Sequence, residues 1–348
     1  MVKEDYIKGL ISVVIPSFNH KHYICSAIDS VLKQTYEHVE CVVVDDGSTD
    51  GTIEYIRDKY SQIDRLHVYT QENHGAHYTI NEAIRRSKGE YLSILNSDDI
   101  YSISRLETLL GAARKEGKDS LIISDVSIID DNGEPLPISG ASDYYNALNK
   151  KLSHVPEEYG FFLGNIAMTT SNYFFHRNLY DKVGGFRDLR YTHDWDWALR
   201  CCEAGNFVRI HKPLLSYRVH PKNTLSENRF WKHVAENSVI FSAVLIRNGF
   251  NTKDLGKLGE AKGVMYYLLQ NESFLPISVL YLLTTRSSEA ELFNGLSSGA
   301  IEAELESLQR LSHLPQVIYE SPVSIASRLG KYTHGVVRNT NSILGKIK

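Results

Sequence analysis

The chain has 348 residues, enough for two domains of typical size or for one large domain with a smaller one. Its formal net charge of −4 excludes the bulk electrostatic attraction on which nucleic-acid binding depends. Apolar residues make up 42% of the chain and charged residues 23%, a balance typical of a soluble globular protein with a hydrophobic core.

Strand-like and helical patterns alternate along the first 125 residues. Short runs rich in β-branched residues predict strands over residues 11–15, 39–44, 66–70, 91–95 and 121–129. Helical spacing of apolar residues predicts helices over residues 22–34, 52–60, 76–86 and 103–115. This alternation favours an α/β fold with a mostly parallel central sheet that helices cover on both faces.

The pattern weakens over residues 130–158, where proline and glycine recur, and we interpret this segment as a long loop or insertion over the site. Strand patterns return at residues 172–176, 207–210 and 214–219, and a helical pattern at residues 195–204. Beyond Pro221 the patterns are mainly helical. We therefore predict two domains, residues 1-220 with the sheet and residues 221-348 with mainly helical structure.

The cysteines and the N-terminus favour a cytoplasmic protein. The four cysteines form no CxxC pair, and a bridge between the adjacent Cys201 and Cys202 would be strained. Residues 1–10 are charged and lack the apolar stretch of a signal peptide. No run reaches the roughly 18 apolar residues that a membrane-spanning helix requires.

Three polar loops directly follow predicted strands, at residues 16–19, 45–51 and 96–99. In open α/β sheets, ligands bind beyond the carboxyl ends of the strands. In the second loop, Asp45 and Asp46 can accept hydrogen bonds from a base N–H or a ribose hydroxyl. Because Ser48 also suits a turn and a helix cap, the sequence leaves both interpretations open.

Adjacent carboxylates end the third loop, at Asp98 and Asp99. A divalent cation would relieve their repulsion, and oxygen ligands suit Mg²⁺ or Mn²⁺. A helix cap is the alternative. We favour the metal interpretation because another acidic loop follows a neighbouring strand.

Two later residues are further candidates. Asp194 opens a predicted helix, where it could act as a general base or serve only as a charge that the helix dipole stabilises. His220 follows a predicted strand, and a neutral imidazole is a common metal ligand, although a lone histidine is more often structural.

The order and spacing of these segments carry more information than any one of them. The series comprises VVIPSFN (13–19), VVDDGSTD (43–50), QENHG (71–75) with Asn81, GEY (89–91), NSDD (96–99), GGF (184–186), HD (193–194), LR (199–200) and YRVH (217–220). It resembles the family 2 glycosyltransferases, inverting enzymes with the GT-A fold, over residues 11 to 220. The resemblance implies transfer of a sugar from a nucleotide-sugar donor to an acceptor hydroxyl.

The resemblance also implies a role for each matching residue. The nucleotide and donor sugar would be bound by Pro16, Ser17, Asn19, Asp46, Asn73, Gly75, Asn81, Asn96, Ser97 and Asp98. Asp46 would bind the base, at uracil N3–H if the donor is a UDP-sugar. Asp98 would bind a divalent cation, Mn²⁺ or Mg²⁺, with His220 helping to hold the cation or the diphosphate. Asp194 would deprotonate the acceptor hydroxyl.

Acceptor-binding candidates are Gly184, Gly185 and Asp196, and by position alone we also expect acceptor contacts within residues 163–171. Two residues depart from the family pattern. Asn96 replaces an aspartate, which reduces the charge near the cation, and His193 replaces the usual glutamate before the base. The second departure leaves Asp196 as a competing candidate for the base.

Two other functions stay open at the level of sequence. A non-catalytic nucleotide-sugar or glycan-binding protein could share this fold, although the retained Asp98, Asp194 and His220 argue against it. A nucleotidyltransferase would use similar strand-end metal chemistry, but residues 16–19 do not supply the glycine-rich basic loop that a triphosphate requires.

The C-terminal tail, residues 322–348, has no acidic residue and five lysines or arginines. Its apolar residues fall at helical spacing, which is typical either of a basic amphipathic helix on an anionic membrane or of a final helix packed on the protein. Membrane contact would place the protein at the inner face of the cell membrane. It would also suit a lipid-linked saccharide acceptor, in the surface polysaccharide or lipopolysaccharide assembly that the resemblance implies.

Overall fold

The structure is a computed structural model that describes residues 6–154, 156–157, 160–221, 223, 229–249 and 275–312. The chain divides into two compact units, one of Met1–Leu136 with Val155–His220 and the other of Pro137–His154 with Pro221–Lys348. Residues 137–154, which the sequence-based division assigns to the first domain, therefore group with the second unit.

An eight-stranded sheet forms the centre of the first unit. Its strands are β1 (Ile7–Ser17), β2 (Val39–Asp45), β3 (Leu66–Thr70), β4 (Gly89–Ile94), β5 (Ile100–Tyr101), β6 (Ser120–Ile129), β7 (Phe174–His176) and β8 (Asn206–Arg218). The helices of this unit are α1 (Ile24–Leu32), α2 (Thr52–Lys59), α3 (Ala76–Arg86), α4 (Arg105–Glu116), α6 (Gly160–Leu163), α7 (Arg177–Val183) and α8 (His193–Ala204).

The strand order is β3-β2-β1-β4-β7-β6-β8-β5. β1 pairs in parallel with β2 and β4, β2 with β3, and β6 with β8, whereas β7 runs antiparallel to β4 and β6. Because two reversals restore the direction, β6 and β8 point the same way as β4. The carboxyl ends of β1, β2, β4 and β8 therefore meet at one edge of the sheet.

The central strands are buried on both faces, as expected for a parallel sheet covered by helices. Every residue of β2 and of β4 is buried. On α1, Ile24, Ile28 and Val31 lie three and four residues apart and are at most 1% exposed. This spacing gives the helix one apolar face that packs on the sheet. The predicted strands and helices of the first 129 residues are thereby confirmed, to within two residues of their ends except at β1, which begins four residues earlier than predicted.

Several elements differ from the sequence-based prediction, including the short helices α6 and α7, which were not predicted. Helix α5 (Gly140–Leu152) lies where we predicted a loop, and the Ser139 side chain caps it by accepting a hydrogen bond from Ser142 N. β8 is one strand rather than two, and the register of its pairing with β6 shifts around the Asp125–Pro213 pair. β5 has two residues, too few to leave a periodic pattern.

The second unit contains helices, as predicted. Besides α5 it holds α9 (Phe230–Arg247), α10 (Leu275–Thr285), α11 (Glu289–Ser297) and α12 (Ala300–Ser312). The last three all pack against α9. Among the helices in the described ranges, none combines the length and apolar character needed to cross a membrane. The basic tail, residues 322–348, lies outside the described residues.

Candidate active site

Hydrogen bonds join the loops that follow β1 and β2. Asn19 N donates to Ser48 Oγ at 2.7 Å, and Asn19 Oδ1 accepts from Thr49 N at 2.8 Å. Ser48 in turn donates from its backbone to Asp45 Oδ2 at 2.8 Å. Asn19 has φ of 53°, a left-handed conformation that asparagine tolerates better than most residues. The Asn19 amide oxygen thus fixes loop geometry.

Ser17 lies where β1 ends, directly after Pro16. Its carbonyl accepts from Asp46 N at 2.8 Å, which brings the two strand ends together. Its hydroxyl is buried and pairs with no group among the described residues. An unpaired buried hydroxyl is costly unless a ligand or water bonds it, so Ser17 Oγ is a candidate contact for a bound molecule.

Asp46 organises the loop before α3. Its carboxylate accepts from Gln71 Nε2 at 2.8 Å, from His74 N at 2.9 Å and from Gly75 N at 2.8 Å. A carboxylate offers about four acceptor positions. One position therefore stays available for a ligand N–H, and the side chain of Asn73, in the same loop, is exposed.

The Asn81 side chain is hydrogen-bonded to α7 and to the turn that follows it. Its Oδ1 accepts from Tyr180 Oη at 2.8 Å and from Phe186 N at 2.9 Å, and its Nδ2 donates to Phe186 O at 2.8 Å. A Cβ on Gly185 would stand 2.8 Å from Asn81 Oδ1, so the turn requires glycine there. Asn81 and Gly185 therefore lie together, with Asn81 holding the turn at residues 184–186.

The two aspartates after β4 point to different partners. Asp99 accepts from Ser171 Oγ at 2.5 Å, from Thr169 Oγ1 at 3.2 Å and from Arg218 N at 2.9 Å. Burial and the neighbouring Asp98 charge raise the pKa of Asp99 to about 8. Asp99 is therefore harder to ionise than Asp98, and its carboxyl group is held by three protein donors.

Asp98 faces two histidines. Asp98 Oδ2 lies 3.0 Å from His220 Nε2, and a metal-ligating atom of His20 lies within 4.8 Å of both. Burial opposes ionisation of Asp98, but the hydrogen bond from His220 and the charge of His20 outweigh it and lower the pKa of Asp98. One ionised carboxylate and two imidazoles form a ligand set that fits a divalent cation.

The sequence-based interpretation missed His20. It directly follows Asn19, but no spacing rule connects it with residues 98 and 220. Only the fold, which places the end of β1 beside the ends of β4 and β8, brings the three side chains together. Its Nδ1 lies 2.7 Å from Ser97 Oγ, which joins the first loop to the third. In that third loop, Asn96 Nδ2 donates to Thr169 Oγ1 at 2.8 Å.

Asp194 lies in the first turn of α8 and is 8% exposed. Its Oδ1 accepts from Trp195 N at 2.7 Å, and its Oδ2 accepts from Asn165 Nδ2 at 2.8 Å. Burial raises the pKa of Asp194, although the charge of His193 and the Asn165 hydrogen bond oppose that effect. A buried carboxylate with a raised pKa is a suitable general base. Asn165 falls within the stretch where position alone suggested acceptor contacts.

Asp196 has a different environment from Asp194. It is 1% exposed, and its Oδ2 lies 2.9 Å from Arg200 Nε, while its Oδ1 lies 3.4 Å from Arg187 Nη1. Arg200 also donates to Val183 O at 2.9 Å and to Gly185 O at 2.8 Å. Asp196 therefore positions the arginine that holds residues 183–185, and the two guanidinium groups disfavour it as the base.

Three carboxylates at this edge of the sheet influence the same tyrosine. The charges of Asp98, Asp99 and Asp194 all raise the pKa of Tyr217, after the larger effect of burial. Beside the loop that follows β2, burial lowers the pKa of His77 against the opposing charges of Asp188 and Asp46. His77 in turn contributes to the lowered pKa of His193, which is chiefly due to burial.

The sequence of the chain is similar to those of known proteins. A family model described as Glycosyl transferase family 2 matches residues 12–184. An uncharacterized glycosyltransferase of Rickettsia typhi is 31% identical over 225 residues, which are 64% of this chain and 68% of that protein. The chain belongs to glycosyltransferase family 2. The Bacillus subtilis glycosyltransferase TuaG, named for teichuronic acid biosynthesis, is 39% identical over 131 residues, 37% of this chain and 51% of that protein.

Solved structures of other glycosyltransferases share the fold. Staphylococcus aureus TarS 1-349, in complex with UDP-GlcNAc, superposes with a TM-score of 0.55 at 20% identity, over 75% of this chain and 71% of that one. The mannosyltransferase PcManGT of Pyrobaculum calidifontis, in complex with GDP-Man and Mn²⁺, gives 0.50 at 18% identity, over 88% and 81%. The GT-A fold expected for this glycosyltransferase is thereby confirmed, together with its helical C-terminal part.

Proposed function

We propose that this glycosyltransferase moves a sugar from a UDP-sugar to an acceptor hydroxyl, with inversion at the anomeric carbon and with a divalent cation. The observation that carries the proposal is the pair of unlike carboxylates at one edge of the sheet. Asp98 is ionised and faces two imidazoles, whereas Asp194 is buried, has a raised pKa and lies on a separate helix. We assign to them the two separate roles that a single displacement requires.

The donor nucleotide would lie at the ends of β1 and β2. Asp46 keeps one acceptor position that can receive uracil N3–H, and Ser17 Oγ is buried without a protein partner among the described residues. The likeness to a structure that holds UDP-GlcNAc supports a nucleotide-sugar donor. The transferred group would be a hexosyl or N-acetylhexosaminyl unit.

Asp98 and His220 would hold Mn²⁺ or Mg²⁺. When bound, such a cation stabilises the negative charge that develops on the leaving diphosphate. The Mn²⁺ in the structurally similar mannosyltransferase supports this assignment. Arg218 fixes the site, since its Nε donates to Asp98 O at 2.8 Å.

Asp194 would accept the proton of the acceptor hydroxyl as the bond to the sugar forms. An acceptor hydroxyl has a high pKa, so the position of the base matters more than a large pKa shift. Asn165 and Trp195 N fix both carboxylate oxygens of Asp194, each within 2.8 Å. The turn at residues 184–186, which Asn81 and Arg200 hold, would supply acceptor contacts.

The biological setting is also a proposal. We propose a role in polysaccharide assembly, with a saccharide or lipid-linked saccharide acceptor, at the cytoplasmic side of the membrane. Similarity to a protein named for teichuronic acid biosynthesis supports the polysaccharide part. Contact of the basic tail with the membrane surface stays a prediction from the sequence.

The test is a transfer assay with UDP-, GDP- and dTDP-sugars and a panel of saccharide acceptors, with Mn²⁺, Mg²⁺ or a chelator. We expect turnover with a UDP-sugar and a cation, and a product of inverted anomeric configuration by NMR. Donor binding without turnover over the whole acceptor panel, equal in the unaltered protein and Asp194→Asn, would favour the non-catalytic glycan-binding alternative.

A further inference from the structure

His20 lies in the loop between β1 and α1, at the point where this loop meets the other strand-end loops. Its ring packs edge-on against the rings of His220 and Tyr23, with 5.7 Å between the centroids in each case. A ligand atom of His20 falls within 4.8 Å of those of Asp98 and His220. The three side chains thus come from the ends of three different strands.

The Ser97 hydroxyl fixes the orientation of the His20 ring. His20 Nδ1 lies 2.7 Å from Ser97 Oγ. If the hydroxyl accepts the Nδ1 proton, the lone pair of His20 resides on Nε2, the atom that can bind a metal. Hydrogen bonds of this kind, from the second nitrogen of a ligating histidine, are usual at protein metal sites. In that tautomer, the Ser97 hydroxyl holds the ring by the nitrogen that does not bind the metal.

The separation of the other two ligands also suits a cation. His220 Nε2 and Asp98 Oδ2 are 3.0 Å apart. Two neighbouring ligand atoms, each about 2.1 Å from one metal ion, lie roughly 3 Å apart. The side chains of His220 and Asp98 are 1% and 11% exposed, so both are held by packing. The third ligand would then come from His20.

We propose that His20 is a third protein ligand, and that it makes the site selective for first-row transition cations such as Mn²⁺ and Co²⁺ over Mg²⁺. This inference rests on the cation site of the proposed function. Imidazole nitrogen suits transition metals, whereas Mg²⁺ prefers oxygen ligands and keeps several waters. Two imidazoles with one carboxylate therefore favour Mn²⁺ and Co²⁺, and a site with one imidazole discriminates less.

The test is calorimetric titration of the full chain with Mn²⁺, Co²⁺ or Mg²⁺ alone, comparing the unaltered protein with His20→Ala and His20→Gln. Loss of the ligand should weaken Mn²⁺ and Co²⁺ binding about 10-fold or more and should change Mg²⁺ binding much less. The ratio of Mn²⁺ to Mg²⁺ affinity therefore falls. His22→Ala is the matched control, because His22 is an exposed histidine on the same loop, and it should leave the ratio unchanged.

Pulsed EPR of Mn²⁺ bound to the unaltered protein gives a measurement that needs no variant to fold. Two coordinated imidazoles should give couplings from two ¹⁴N nuclei, and His20→Gln should leave one. A ratio of affinities unchanged in both variants, or a single ¹⁴N coupling in the unaltered protein, would overturn the inference and show that His20 only packs on its neighbours.

Asp98→Asn separates this inference from the proposed function. If the variant loses cation binding while the His20 variants keep both affinity and selectivity, the cation site stands and the role of His20 falls. If Asp98→Asn retains full cation affinity, the cation site itself is wrong, and with it both proposals.

Discussion

At the residue scale, the site contains two closely spaced pairs of aspartates, and each pair is divided in the same way. Asp99 is bonded to Ser171, Thr169 and Arg218, whereas Asp98 faces the histidines. Asp196 pairs with two arginines, whereas the Asp194 carboxylate accepts from Trp195 N and from the Asn165 side chain. One member of each pair supports the fold, and its neighbour is the residue to which the proposed function assigns chemistry.

The first prediction concerns the two aspartates of α8. Asp194→Asn keeps an oxygen that can accept from Trp195 N or Asn165, so the fold and donor binding should survive. Loss of the base should lower kcat by about 10²- to 10⁴-fold, measured as initial rates at saturating donor and acceptor. Calorimetric titration with the donor should give an unchanged Kd.

Asp196→Asn is the matched control for that prediction. It leaves the buried Arg200 without its carboxylate, and breaking a buried ion pair costs about 3–5 kcal/mol. We therefore expect a large fall in unfolding free energy by urea denaturation. Equal effects of the two substitutions on both kcat and stability would contradict the division of roles.

The second prediction concerns the pH dependence of catalysis. The base must be ionised, so kcat rises with pH through the pKa of Asp194, which burial places above the ordinary range for aspartate. The Asn165 hydrogen bond favours the ionised form, and Asn165→Ala should therefore raise this pKa further. The rise of kcat with pH should therefore move to higher pH in Asn165→Ala. At pH values above the shifted pKa, kcat should recover most of its value in the unaltered protein. A fall in kcat that is uniform across pH would argue against this role of Asn165.

At the element scale, the sequence predicts what depends on local pattern and fails where tertiary contacts decide. The apolar runs of β2 and β4 predict core strands, and the carboxylates that follow them mark the edge of the sheet where ligands are expected. Helix α5 was missed because its apolar residues are sparse and prolines precede it. β7 runs antiparallel to its neighbours, and His20 lies near residue 98, because strands that are distant in sequence are neighbours in the sheet. A local sequence pattern does not contain this information.

The third prediction tests the close approach of β1 and β4. A Cβ on Gly89 would stand 2.5 Å from Ser12 Oγ, 2.6 Å from Ser12 N and 2.8 Å from Leu10 O. Because two of these atoms belong to the backbone of β1, Gly89→Ala should lower the unfolding free energy by about 1–3 kcal/mol. Urea denaturation would measure the change.

Gly111 provides the control for Gly89. It lies exposed within α4, and a Cβ there meets nothing within 4 Å. Gly111→Ala should therefore raise stability by up to about 1 kcal/mol, since alanine favours the helix and restricts the unfolded chain. If the two alanines had the same effect, the packing of Gly89 against β1 would not be the cause.

At the scale of the whole molecule, the site depends on parts of the first unit that are far apart in sequence. Asp46, Asp98, Asp194 and His220 lie far apart in the sequence of this unit, which ends at His220. None of their loops is held by its neighbours in sequence alone. A ligand that contacts several of these loops binds only the folded state. Ligand binding must therefore increase the stability of this unit by mass action.

The last prediction uses this linkage to test the base-binding role of Asp46. A ligand at 100 times its Kd stabilises the native state by about 2.7 kcal/mol, so UDP with Mn²⁺ should raise Tm by several degrees in thermal denaturation. CDP should raise it much less, because cytosine N3 is an acceptor that faces the carboxylate with a lone pair where uracil donates N3–H. Adding a chelator, or substituting Asp98→Asn, should reduce the rise in Tm that UDP causes, because the cation no longer binds the diphosphate. UDP should still raise Tm more than CDP does. If CDP stabilised the protein as well as UDP does, the free acceptor position of Asp46 would not select the base.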